Sequence, residues 1–247
     1  MCLNVGGMAV SSFDINEIKK YYDEAKEIWP ESDLWHTKTN QTINSFLSKT
    51  GWSTKAYVLN AGSGGSTYGL SYNFHHVDIS SNHMDGMDNF TKANIEQLPF
   101  KNETFNHCIC VGSVLNYCDA VPALSELSRV IKRHGEMILE FENSWGYRHK
   151  GTETYGLASG VATIDFRGIA HTQWVYTEKY IESLCTQYGF ELIQRSHFHI
   201  ISSLALNKNK NEDLASKYFS LDKVARYFPF FSKHANNIIF KLKKIDM

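Results

Sequence analysis

Proline is scarce in this chain, four in 247 residues, and the sequence contains no C-x-x-C pair, no internal repeat and no long apolar run. The lack of paired cysteine spacing argues against a zinc ribbon or a disulfide framework. Cys2, Cys108, Cys110, Cys118 and Cys185 are therefore expected as reduced thiols, and no metal site is expected. The lack of a repeat excludes solenoids. No stretch approaches the roughly 18 apolar residues that a membrane span needs, so no membrane partner is expected. An excess of charge is also missing: 25 Lys+Arg stand against 26 Asp+Glu. Net charge alone would not coat nucleic acid with this protein. The opening stretch from Met1 to Val10 has no basic start and no long apolar core, so a cleaved leader is not expected and a cytoplasmic location is the default. What is present is ordinary globular composition with many aromatics, 43% hydrophobic and 13% Phe, Trp and Tyr, which excludes disorder.

Periodicity divides the chain. Asp14, with Glu17 three residues on, is a cap for a helix carrying Ile15, Ile18, Tyr22, Ala25 and Trp29 and ending at Pro30. A polar and aromatic loop, Ser32 to His36, should lead to a second helix from about Thr39 to Lys49. From Lys55 short apolar runs alternate with helical ones. Strands are expected at Ala56–Leu59, Phe74–Val77, Phe105–Val111, Met137–Phe141, Glu191–Leu206 and from Ile238. Helices are expected after Asp119, with Leu124, Leu127, Val130 and Ile131 on one stripe and Gly135 as the stop, and after Thr177, closing at Gly189. Alternating strands and helices predict a parallel sheet covered on both faces. The expected organisation is one domain over 1–247: an N-terminal helical cap (1–54), a core (55–206), a lid insertion (207–236) and a last strand (237–247). From Asn207 onward nine basic and four acidic residues give a net +5, leaving −6 for the remainder. That contrast fits either a basic contact surface or a solvated helix face.

The informative stretch is Val58-Leu59-Asn60-Ala61-Gly62-Ser63-Gly64-Gly65-Ser66, a strand running into glycines and, by expectation, a short helix. Glycine lets the backbone turn sharply and lets a ligand lie against bare main chain. Asp78 ends the next strand, where a carboxylate can accept both hydroxyls of a ribose. Together they point to a nucleoside-type ligand. The dinucleotide fingerprint is incomplete, because Thr67 stands where its last glycine belongs. Downstream come Ala93-Asn94-Ile95-Glu96-Gln97-Leu98-Pro99-Phe100 and Glu126-Leu127-Ser128-Arg129-Val130-Ile131-Lys132-Arg133-His134-Gly135.

In that order these segments resemble the class I S-adenosylmethionine-dependent methyltransferases, in the broad type 11 group with the pattern D-A-x-x-L-P-F followed by E-x-x-R-V-L-K-x-G-G. The resemblance covers about Lys55 to Glu142. It implies an α/β Rossmann-like fold whose seven-stranded, mostly parallel sheet has an antiparallel last strand and helices on both faces. It implies S-adenosyl-L-methionine as cofactor. Gly62 and Gly64 would lie beneath its methionine part, with Asn60 and Ala61 at the strand end. Asp78 would hold the ribose, Ile79 would pack on the adenine, and Asn94 and Ile95 would meet the adenine edge. Val111 and Gly112 would lie beside the amine and the sulfonium. The chain departs from the pattern at Asn60 and Asn94, where the family usually has acids, and at Ser66, where it usually has glycine.

Methyl transfer from a sulfonium is an in-line displacement that requires alignment and exclusion of water, with a base only for a protonated acceptor. His36, His149 and His171 lie on segments expected at the mouth of the sheet and are the candidates for that role. Tyr21, Tyr22 and Trp35 are candidates to close over the ligand, and Arg148 to hold an anionic substrate. His75 and His76 read as structural or adenine-adjacent. The Asn-Pro-Pro-Tyr motif of amino-methylating nucleic-acid enzymes is missing after the fourth strand, and so is a Pro-Cys nucleophile. A small-molecule acceptor is the first reading. An RNA or protein methyltransferase using the basic C-terminal segment and a non-catalytic nucleoside-binding regulator are the alternatives.

Overall fold

The computed structural model describes residues 13–25, 27, 32–166 and 169–246. Cys2, Trp29, Pro30 and the Met1–Val10 stretch lie outside them. Helix α1 spans Ile15–Glu24, and the Asp14 carboxylate caps it by accepting the Asn16 N–H at 2.8 Å. Helix α2 spans Leu34–Leu47, so the expected loop at Ser32–His36 is in fact its start. Asp33 accounts for the difference: its Oδ1 accepts the His36 N–H at 3.0 Å and opens the helix five residues early.

Strands β1 (Tyr57–Ala61), β2 (Asn73–Asp78), β3 (Phe90–Lys92) and β4 (Phe105–Cys110) follow. No helix lies between Gly65 and His75, contrary to expectation. Gly62, Gly64, Gly65, Tyr68 and Gly69 all have positive φ there, so the crossover is a chain of tight turns that a helix cannot enter. After a 3-10 turn at Val114–Tyr117 come α3 (Ala120–Val130), capped by Asp119, and β5 (Ile131–Glu142). Ile131 belongs to this strand and not to the helix. Gly135 lies within the strand, where an added Cβ would stand 2.4 Å from the Asn106 carbonyl oxygen.

Strands β6 (Ser159–Phe166) and β7 (Ile169–Tyr176) form a separate antiparallel hairpin. Helix α4 (Glu178–Gln187) starts at Thr177 as expected. β8 covers Phe190–Phe198 only. The second half of the expected strand is α5 (Ile201–Asn209), because His199 takes a left-handed φ of 52° and breaks the extended chain. Short helices α6 (Glu212–Ser216), α7 (Phe219–Ala225) and α8 (Pro229–Ser232) fill the insertion, and β9 (Asn237–Lys244) closes the sheet.

The sheet order is β3-β2-β1-β4-β5-β9-β8, and β9 alone runs antiparallel to its neighbours. Alternation along the strands divides the core into two faces. Leu59, Val77, Cys108 and Leu139 pack with Leu124, Leu127 and Ile181 of α3 and α4. Val58, Phe74, Ile109 and Ile138 pack with Ile43 and Leu47 of α2 on the opposite face. The chain order reverses between β1 and β4, and ligands of open α/β sheets bind at the carboxyl ends beside such a reversal.

The insertion is anchored by one buried carboxylate. Asp222 on α7 accepts the Ile201 N–H at 2.6 Å and the Ser202 N–H at 3.2 Å through Oδ1, and the Ser202 hydroxyl at 2.6 Å through Oδ2. These contacts satisfy free amides at the start of α5. Large apolar side chains remain outside, with Tyr227 72% and Phe230 71% exposed. Replacing Asp222 by Ala should cost about 1–3 kcal/mol of stability by leaving those donors unpaired. Urea unfolding measures the loss. Hydrogen exchange should rise across 201–232 and stay unchanged in β1, β4 and β5.

Candidate functional site

Four strand ends build the site. Gly62, the first residue after β1, has φ +67° and donates its N–H to the Val77 carbonyl at 2.8 Å. A Cβ there would meet Val114 at 2.3 Å, so only glycine lets the turn after β4 come this close. Gly64 donates its N–H to Asp78 Oδ2 at 2.9 Å, and Ser80 donates its own to Oδ1 at 3.0 Å. Burial pushes the Asp78 carboxyl up, while these N–H donors pull it back down. Asn94, just after β3, accepts the Glu96 N–H at 3.0 Å. Val111 and Gly112 follow β4, and Gly112 has φ +83°.

Gly62, Gly64, Asp78, Ile79, Asn94, Ile95, Val111 and Gly112 all line one cavity of about 640 Å³ of space, its open mouth included. Ile15, Ile18 and Tyr22 of α1 form its cover, and burial pushes the Tyr22 phenol up. Asn60 and Ala61 do not line it. Ala61 is packed in the core, and the Asn60 side-chain amide donates to the Ser66 carbonyl at 2.7 Å, fastening the glycine loop from below. His76 sits 3.4 Å from that amide, and His75 lies between the Tyr57 hydroxyl and the Thr91 hydroxyl, at 2.9 and 2.8 Å. Both histidines are therefore braces of the sheet.

A second cavity of about 760 Å³ adjoins the first, and Tyr22, Gly112 and Tyr117 line both. The rest of its wall includes Tyr21, Trp35, His36, Glu142, Arg148 and Gln173. None of its lining residues comes from 207–236, and none of the first cavity's does either. Of the candidate histidines, His36 is in this wall, its Nδ1 2.7 Å from Asp33 Oδ2. His149 is buried behind it, Nε2 3.6 Å from Glu142 Oε2. His171 on β7 stands 3.3 Å from the Tyr117 hydroxyl. Asp33, His36 and Glu212 bring ligand-type atoms within 4.8 Å of one another. The cap on α2 and the pairing with His36 already account for Asp33.

Two acids near the end of β5 escaped the sequence reading. Glu140 is fully buried, accepting the Ser113 N–H at 2.6 Å and the Asn237 amide at 2.7 Å. Burial, with Glu142 nearby, outweighs these donors and pushes Glu140 up to about 7. Burial also acts upward on Glu142, but His149, Arg148 and the Gln173 amide bring it down to about 2. The available signal was an acid at alternate positions in an otherwise apolar strand, which places both on one face.

Residues 49–139 match the family model described as a methyltransferase domain. An uncharacterized protein of Methanocaldococcus jannaschii is 30% identical over 132 residues, 51% of this chain and 52% of that protein. The match thus spans about half the length of that curated relative. Among solved structures, the Burkholderia thailandensis 1,6-didemethyltoxoflavin-N1-methyltransferase, with bound 1,6-didemethyltoxoflavin and S-adenosylhomocysteine, superposes with a TM-score of 0.56 at 12% identity. That alignment covers 94% of this chain and 87% of the other. The 4+2 cyclase SpnF reaches 0.61 at 12% identity over 96% and 99%. At such identity the likeness is one of fold, and it confirms the expected Rossmann-like architecture. No helix of the described residues is long and apolar enough to cross a membrane.

Glu140 ties the turn shared by both cavities to β5, and its raised carboxyl carries a pH signature. A raised acid stabilises the fold below its unfolded value of 4.5, and that contribution is lost as pH climbs through about 7. The stability of the native chain relative to a Glu140→Gln variant should therefore fall by on the order of 3 kcal/mol between pH 4.5 and 8. Urea unfolding of both proteins across that range tests it. A pH-independent difference would show that Glu140 does not titrate there.

Proposed function

We propose that this chain is a methyltransferase that binds S-adenosyl-L-methionine in the first cavity and transfers its methyl group to a small molecule held in the second. The observation that carries the reading is the shared wall. Tyr22, Gly112 and Tyr117 belong to both cavities, so ligands in the two would lie against the same three residues.

The residues fit the cofactor. Asp78 is a half-buried carboxylate whose described partners are main-chain N–H groups, which leaves lone pairs for the two ribose hydroxyls. Gly62 and Gly64 offer bare main chain, and Asn94 and Ile95 stand where an adenine edge would lie. S-adenosylmethionine supplies an activated methyl on a sulfonium whose departure needs no acid. The chain's own task is then alignment and dryness. Helix α1 covers the cofactor side through Ile15, Ile18 and Tyr22, and the turn after β4 is pinned by Glu140 at the point where the cavities meet.

The acceptor side favours a small molecule because its walls come from α1, α2, the β6–β7 hairpin and the end of β5, which surround it. No basic residue from Lys208 to Lys244, the expected contact surface for RNA or protein, contributes to those walls. At about 2 the Glu142 carboxylate is ionised at neutral pH and a weak base, so it orients an acceptor in preference to deprotonating it. His36 is the candidate histidine with direct access.

Isothermal titration with S-adenosylhomocysteine tests the placement. Asp78→Ala should weaken binding at least 100-fold, corresponding to about 3 kcal/mol. Tyr22→Ala should weaken it about 5- to 10-fold by opening the cover. Native affinity in Asp78→Ala would reject the assignment.

A further inference from the structure

Two groups of opposite charge, Glu142 and Arg148, line the second cavity. Glu142 is buried, 7% exposed, and its Oε2 takes both of the contacts described: the Gln173 amide at 2.8 Å and His149 at 3.6 Å. Oε1 has no partner among the described residues, on a side chain that lines the cavity. Arg148 lines the same cavity, and no described residue makes a hydrogen bond or an ion pair with its guanidinium. They make no direct hydrogen bond with each other, although the Arg148 charge helps to hold the Glu142 carboxyl down. A nearly buried carboxylate and a half-buried guanidinium thus line one space without touching, so a ligand that carries both opposite charges can match each of them. The remaining surface is aromatic, from Tyr21, Tyr22, Trp35 and Tyr117.

We propose that the second cavity is a zwitterion site: Glu142 Oε1 receives an ammonium or N–H group of the acceptor, Arg148 receives its carboxylate or other anionic group, and the aromatic walls hold the body between them. This proposal rests on the reading of that cavity as the acceptor site and names the acceptor class. The arrangement is selective for molecules carrying both ends. An acceptor without the anionic end leaves the Arg148 guanidinium unmatched, and one without the donor leaves Glu142 uncompensated beside a second negative group. Gln173 and His149, both on the Oε2 side, fix the carboxylate so that Oε1 stays turned to the cavity.

The test uses the full chain saturated with S-adenosylhomocysteine, and matched probes observed by saturation-transfer NMR and titration calorimetry. One series is phenylalanine, phenethylamine and 3-phenylpropionate; the other is histidine, histamine and imidazole-4-propionate. In each series the zwitterion should bind at least tenfold tighter than either half. Glu142→Gln should abolish the advantage over the anionic half, and Arg148→Met the advantage over the cationic half. S-adenosylhomocysteine affinity and melting temperature, measured on the same samples, show that each variant is folded. Equal affinity within both series, no binding by either zwitterion, or an unaltered preference in both variants would overturn the proposal. Such a result with S-adenosylhomocysteine still bound leaves the cofactor assignment standing. Failure of the native chain to bind S-adenosylhomocysteine would fall on that assignment instead.

Discussion

The turn after β4 is the constraint on which both cavities depend. It leaves the sheet and presents Gly112 to both cavities. Buried hydrogen bonds from the neighbouring strand hold it. Glu140 accepts the Ser113 N–H, and the fully buried Asn116 accepts the Glu142 N–H at 2.8 Å while donating to the Trp174 carbonyl at 2.7 Å. Val114, on the same turn, fills the space that a side chain at Gly62 would need. The turn is thereby locked to β5, to the β6–β7 hairpin and to the glycine loop at once. Such buried polar contacts specify one arrangement because any alternative leaves donors unpaired in a low-dielectric interior.

Much of the cofactor side was legible in the sequence, for a topological reason. Gly62, Asp78, Asn94 and Gly112 each follow the carboxyl end of a strand, and parallel pairing brings all such ends to one edge. Reading the strands therefore places the residues without any knowledge of their contacts. The acceptor side had no such rule behind it. Its wall is assembled from α1, α2, β5, the loop carrying Arg148, the hairpin and β9, and only three-dimensional packing brings these together. Periodicity failed in two further places for local reasons. Asp33 captured the start of α2, and the left-handed His199 turned an apolar run from strand to helix. Both are single-residue events that a hydrophobic pattern does not encode.

The likeness to the cyclase SpnF shows why fold alone does not fix chemistry here. A sheet with this edge provides a place for a nucleoside. What reaction follows depends on what stands beside it. In this chain the neighbour is a cavity with aromatic walls, a carboxylate and a guanidinium, sharing lining residues with the first. On the function proposed above, that pairing is the feature that a transferase needs and a protein that merely holds a nucleoside does not.

Asn60 illustrates how a departure from a family pattern can be a structural exchange instead of a loss. The loop it supports has no helix to complete, so the Ser66 carbonyl would otherwise be left without an intrahelical partner. An aspartate at this position would turn a carboxylate toward that carbonyl, acceptor against acceptor. An amide donates to it at 2.7 Å and keeps the loop closed over β1. The same closure sets Gly64 against Asp78 at 2.9 Å. In this chain, therefore, the short crossover and the amide go together. On the proposed placement, a nucleoside would be held by the carboxylate at the end of β2, under the cover supplied by α1.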